Sequence, residues 1–180
     1  MPRKIVDACC LINLFAAGNT SEILRAFEGD LFVPDFVKGE TLYIRQPDEE
    51  DGATLIPKPI DLAPALEDGL LHLCRIENQA ESEEFVRFAG ILEDGEAACL
   101  AIAKCRAWAV ATDDRKALRV AAAEGVATVT TPELVKLWAD SRKIGENVLR
   151  TVLHNIERFA RFSPRRDAPL RGWWLRYVAR

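Results

Sequence analysis

The sequence predicts an α/β domain with a central, mainly parallel sheet between two layers of helices. Three observations lead there. Short apolar runs that stop at acids or prolines alternate with longer segments of helical periodicity. The connections between them are short, as turns from strand to helix are in a parallel sheet. The 180 residues, 49% hydrophobic and 29% charged, are enough for one domain with its own core.

In chain order, Ile5-Val6 is a short apolar strand that ends at Asp7. Leu11 to Ala17 follows as an apolar helix broken only by Asn13, and Gly18-Asn19 closes it. Thr20 or Ser21 caps a second helix with Ile23, Leu24 and Phe27 on one face. Leu31-Phe32-Val33 is a buried strand closed by Pro34. Asp35 then starts a helix expected to reach about Arg45, with Phe36, Val37, Glu40, Leu42 and Ile44 along it. QPDEEDG, from Gln46 to Gly52, is a solvated loop, because a run of acids repels itself and buries nothing. Pro57, Pro59 and Pro64 keep the next stretch extended or turning. Leu70 to Ile76 is a strand candidate, and a helix within 77–93 turns Phe85, Val86, Phe88 and Ala89 inward.

Asp94-Gly95-Glu96 opens a small-residue helix, Ala97 to Cys105. A strand from Trp108 to Ala111 then stops at Thr112-Asp113-Asp114. Arg115 to Glu124 is an Ala-rich helix closed by Gly125, and Val126 to Val129 is the last strand. Thr131-Pro132-Glu133 caps a helix packed by Leu134 to Trp138. Beyond Ile144, Val148, Leu149, Val152, Leu153, Ile156 and Phe159 trace an amphipathic helix. The chain thus divides into a domain over 1–140 and a basic helical extension over 141–180.

The net charge of −4 hides an asymmetry. Residues 140–180 carry ten Lys/Arg against four Asp/Glu, while residues 1–139 carry fourteen against twenty-four. A basic tail on an acidic body does not exclude nucleic acid, since phosphate contacts are local. No apolar run has the length of a membrane span, and the N-terminus lacks the uncharged stretch of a signal peptide. A cytoplasmic protein is expected. Five cysteines without a CxxC pair read as small buried hydrophobes in a reducing compartment.

The chemistry rests on acids at strand and helix ends, where α/β sheets bind ligands. Asp7 ends the first strand, Glu96 starts a helix, and Asp113-Asp114 ends another strand. Asp7 has few bland explanations, because an unpaired buried carboxylate is costly. Glu96 could instead serve only the helix dipole, and Asp113 or Asp114 only an N-cap. Acids that converge suit a hard divalent ion, which takes oxygen ligands and activates water toward phosphate. Other chemistries lack their residues. His72 and His154 lie in an apolar strand and on an amphipathic helix, no serine sits in a GxSxG elbow, and no glycine-rich phosphate loop occurs.

IVDACCLINLFAAG, VPDFVKGETLYI, DGEAACLAIA and VATDDRKALRVAAAEGV follow the order and spacing of the PIN-domain family, which the chain resembles over about residues 4–140. The similarity is to a prokaryotic, VapC-like branch with DGEA before the central helix and a DD pair after the next strand. The resemblance implies a three-layer α/β/α fold and an Mg²⁺- or Mn²⁺-dependent ribonuclease leaving 5′-phosphate and 3′-hydroxyl ends. It also implies the toxin of a toxin–antitoxin pair, hence an antitoxin partner and a homodimer. Residue by residue, it makes Asp7, Glu40, Glu96 and Asp114 catalytic, with Asp7, Glu96 and Asp114 on the metal and Asp113 an adjacent candidate. Thr112 and Asn13 are implied as supports, Asn13 orienting Asp7. Lys38, Gly39 and Thr41 around Glu40 depart from the family pattern.

In the tail, Arg161, Arg165, Arg166, Arg171 and Arg176 interleave with Trp173, Trp174 and Tyr177. Arginines between aromatics suit stacking on single-stranded bases, but a docked terminal helix or a partner interface is the favoured reading. The alternative to a nuclease is therefore a catalytically silent PIN-like module that binds protein or RNA.

Overall fold

The structure, a computed structural model, describes residues 3–27, 30–35, 37 and 42–179. Five parallel strands form the central sheet: β1 (Lys4–Val6), β2 (Leu31–Pro34), β5 (His72–Cys74), β6 (Ala109–Ala111) and β7 (Thr128–Val129). Their spatial order is β5-β2-β1-β6-β7. The pleat sends alternate side chains to opposite faces. Val6, Leu31, Val33 and Ala111 enter one core, and Ile5, Phe32 and Val110 the other. This is a three-layer α/β/α sandwich.

One outer layer holds α1 (Ala8–Ala16), α2 (Thr20–Arg25) and α7 (Thr131–Arg142). The other holds α4 (Gln79–Ala89), α5 (Asp94–Arg106) and α6 (Arg115–Ala123). Ala97 to Ala103 of α5 are all buried, as expected of a helix apolar on every side. A short α3 (Ala63–Glu67) precedes β5.

The chain after residue 140 shares the first core. α8 (Glu146–Asn155), a π-helical turn (Ile156–Ala160) and α9 (Arg171–Val178) bury Leu149, Val152, Leu153, Ile156 and Trp174 beside Leu11, Leu14 and Trp138. Asn155 Nδ2 donates to Ala17 O at 3.1 Å, closing the end of α1. Gly18 turns there with φ +85°, a conformation L side chains rarely adopt.

Several elements differ from expectation. Tyr43–Pro47 is a strand, β3, paired antiparallel with β4 (Leu55–Pro59), where the sequence reads as the end of a helix from Asp35. Prolines usually discourage a strand, but a two-stranded ribbon is all edge, and Pro57 and Pro59 need no second partner. The acidic run forms the hairpin tip, tied by Asp51 accepting from Ala53 N (2.9 Å) and Thr54 N (2.8 Å). β5 covers only three residues, because the Leu70 and Leu71 amides donate to Ala65 O in a turn. Val86, expected inward, is 70% exposed, and Cys105, expected buried, is exposed. Asn19, not Thr20 or Ser21, takes the N-cap position of α2.

Candidate metal centre

β1 and β6 are neighbours from which the chain departs in opposite directions, β1 toward β2 and β6 toward β7. At such a switch point the strand ends open into a crevice. Asp7 and Thr112 are the first residues past the paired Val6 and Ala111, and Asp7 N donates to Ala111 O at 3.0 Å.

Asp7 caps α1. Its Oδ1 accepts from Cys10 N (2.9 Å) and from Cys9 Sγ (3.0 Å), and the residue is 4% exposed. The buried Thr112 hydroxyl accepts from Asp114 N at 3.1 Å and lies at the same end of the sheet as Asp7. Burial pushes the Asp7 carboxyl up to about 6. Hydrogen bonds from Cys10 N–H, Thr112 and Cys9 oppose the rise, and the charge of Asp113 adds to it.

Glu96 sits in the first turn of α5 and is half-buried. Burial raises its carboxyl first, then the charge of Asp114. The Glu93 N–H opposes, and Asp7 and Glu93 add further repulsion. Asp114 caps α6: Oδ1 accepts from Lys116 N (2.7 Å) and Ala117 N (2.8 Å). Among the described residues no hydrogen bond engages its Oδ2. Glu93, Glu96, Asp114 and Lys116 line one cleft of about 410 Å³. Three carboxylates facing one cleft, with a fourth, buried acid close enough to repel one of them, fit a hard cation that would relieve the repulsion.

Asp113 faces elsewhere. Its Oδ1 accepts from Thr131 N (3.0 Å), and its Oδ2 from Asn13 Nδ2 (3.0 Å), Cys10 Sγ (3.2 Å) and the Thr131 hydroxyl. It anchors the start of α7, and burial raises its carboxyl against those bonds. Asn13 therefore supports Asp113 and Thr131 (3.1 Å) rather than Asp7. Glu40 lies outside the described residues.

The end of the tail packs as a docked helix, the favoured of the two readings, rather than as a stacking platform. Trp174 is wholly buried, with Nε1 donating to Glu157 Oε1 at 2.9 Å. Trp173 packs edge-on against Trp174 and Tyr177 with ring centres 6.4 and 5.7 Å away. Arg171 donates to Pro164 O, so it fastens the preceding loop. Arg165 and Arg166 are exposed, and Arg165 lies 3.8 Å from Asp167. An amphipathic pattern cannot tell a stacking platform from a docked helix until the partner face is known.

A family model for the PIN domain matches residues 3–166. The chain belongs to the PIN-domain family. That match accounts for the parallel sheet and for acids at its carboxyl edge, since PIN domains are generally nucleases. Neither the curated proteins nor the solved structures gave a match. No helix among the described residues is long and apolar enough to cross a membrane. Three residues beside these acids escaped the sequence reading: Glu93 and Lys116 on the cleft, and Cys9 on Asp7. EDGE and DDRK place the first two one turn from the expected acids, and Cys9 stands two positions after Asp7.

A pH effect follows. Between the ordinary value of 3.8 and about 6, folded Asp7 holds a proton that the unfolded chain has released. The native state then binds more protons, so stability falls as pH rises through this window and stays low above it. Glu96 and Asp113 act in the same direction. Glu124, held at about 2 by Arg87 and then Lys104, acts below the window with the opposite sign. Metal-free protein should show a higher urea midpoint near pH 5 than near pH 7.5, Asp7 alone contributing about 1–1.5 kcal/mol. Equal midpoints would contradict this.

Proposed function

We propose that this PIN-domain protein is a divalent-metal-dependent ribonuclease of the VapC-like branch, the toxin of a toxin–antitoxin pair acting in the cytoplasm. The observation that carries the reading is the meeting of Glu96 and Asp114 on one cleft, with Asp7 buried close by at the β1/β6 switch point.

Asp7, Glu96 and Asp114 would hold Mg²⁺ or Mn²⁺, which when bound offsets phosphate charge and lowers the pKa of water. The protein's own residues do the positioning. Thr112 holds the backbone of Asp114, and the caps of α1 and α6 orient the Asp7 and Asp114 carboxylates. Lys116, exposed beside the acids, offers a cation to a phosphate oxygen. Burial of Trp174 removes one feature that favoured a silent binding module.

The test separates metal binding from folding. Asn is as good an N-cap as Asp, so Asp114→Asn keeps the start of α6 while removing a charge. Calorimetry should show Mn²⁺ binding to the wild type and a loss of affinity of at least about tenfold in the variant. The wild type should cleave single-stranded RNA in Mn²⁺ and not in EDTA. A wild type that binds no Mn²⁺, or a variant that binds equally well, overturns the reading.

A further inference from the structure

Two thiols follow the buried acid directly. Among the described residues, Asp7, Cys9 and Cys10 are the one set of three or more potential ligand side chains with ligand atoms within 4.8 Å of one another. Cys9 is half-buried and donates to Asp7 Oδ1 at 3.0 Å, while Asp113 N donates to its sulfur at 3.4 Å. Cys10 is buried and donates to Asp113 Oδ2 at 3.2 Å, with the Thr131 hydroxyl 3.3 Å from its sulfur. Packing explains a cysteine such as Cys99, wholly enclosed among apolar neighbours. It does not explain a half-buried sulfur placed on a carboxylate at the mouth of a metal site.

We propose that Asp7, Cys9 and Cys10 form a site for a soft divalent cation, zinc above all, whose occupation excludes the hard metal. Sulfur donors select zinc and cadmium over Mg²⁺ and Mn²⁺. A carboxylate and two thiolates leave one of zinc's four positions open to water, as in sites that exchange ligands. The balance is simple: the cation takes the place of the two thiol protons, which leave to solvent, and no redox change occurs. Both sulfurs lie in the first turn of α1, directly after Asp7. Asp113 can release Cys10 at little cost, since Asn13 and Thr131 still donate to it. Asp7 is the shared ligand. With zinc on it, Glu96 and Asp114 lose their third partner, so zinc acts as an off-switch; this consequence rests on the nuclease reading, while the binding itself does not.

Cadmium is the probe, because thiolate-to-cadmium charge transfer absorbs in the near ultraviolet. All titrations use the Cys105→Ser background, since that exposed thiol could bind metal by itself. The background protein should give a saturable band, which Cys9→Ala and Cys10→Ala each reduce by roughly half, with affinity lowered about tenfold or more. Cys99→Ala should leave the band intact. No band, or a full band in Cys9→Ala, overturns the proposal. In parallel, equimolar Zn²⁺ should abolish Mn²⁺ binding in the background protein, and Cys9→Ala should largely restore it. A cadmium band in a protein that cleaves no RNA would fault the nuclease reading and leave the thiolate site standing. Cleavage without a band would do the reverse.

Discussion

Asp7→Asn is expected to abolish metal-dependent RNA cleavage and, in the same protein, to raise the melting temperature without metal. Both follow from one carboxylate, buried at the switch point with its pKa pushed up to about 6. At pH 7 it is ionised against the preference of its surroundings, at a cost of about 2–3 kcal/mol. An asparagine accepts the same hydrogen bond from Cys10 N, so the cap of α1 survives. Removing the charge should therefore stabilise the metal-free fold at pH 7 by roughly 4–8 °C. The variant should also lose the decline in stability above pH 5 that Asp7 imposes. On the proposed nuclease reading the cost falls on function, because one of the three acids that would hold the metal is gone. Cleavage in Mn²⁺ should drop by about 10³-fold or more. Thermal melts in EDTA and a cleavage time course measure the two effects separately. Retained cleavage would remove Asp7 from the chemistry; a lower melting temperature would mean that its charge is satisfied in the fold.

Trp174→Ala is expected to destabilise the protein by about 3–5 kcal/mol, the usual cost of deleting a fully buried aromatic ring. Trp174 is wholly enclosed and meets Phe162 edge-on at 5.7 Å. Its indole N–H donates to Glu157, which would keep only the Ser163 hydroxyl as a donor among the described residues. The core it fills is continuous with Leu11 and Leu14 of α1, the helix that Asp7 caps. Loss of the ring should thus lower the urea midpoint of the whole domain rather than release a tail alone. Arg176→Ala, on an exposed position of α9, should shift it by less than about 0.5 kcal/mol. A Trp174→Ala protein within about 1 kcal/mol of wild type would show that the C-terminal helix contributes little to the core.

What could be read from the chain was whatever obeyed a local rule. Asp7 stood out because an acid interrupted an apolar strand, and Thr112-Asp113-Asp114 because polar residues ended one abruptly. The helix from Asp94 was legible from its unbroken small residues, and the start of α7 from Thr131-Pro132-Glu133, although Thr130, one residue earlier, takes the cap. The β3–β4 hairpin was not, since its prolines carry a breaker signal that an unshared edge makes harmless. The end of the tail was legible only as a choice between two readings, because Trp173 and Trp174 lie between arginines whether they face bases or a core.

The sequence by itself determined the layered α/β fold and which acids lie at the carboxyl edge of the sheet, because strand ends and helix starts are written in neighbouring residues. Only the tertiary structure decided that Asp114 lines the cleft while Asp113 turns away. Both follow Thr112 and both can cap a helix. The choice between them is made by Thr131 and Asn13, which the fold brings to Asp113 from 18 and 100 positions away. A carboxylate goes where its hydrogen-bond donors are, and those donors converge only once the sheet has closed.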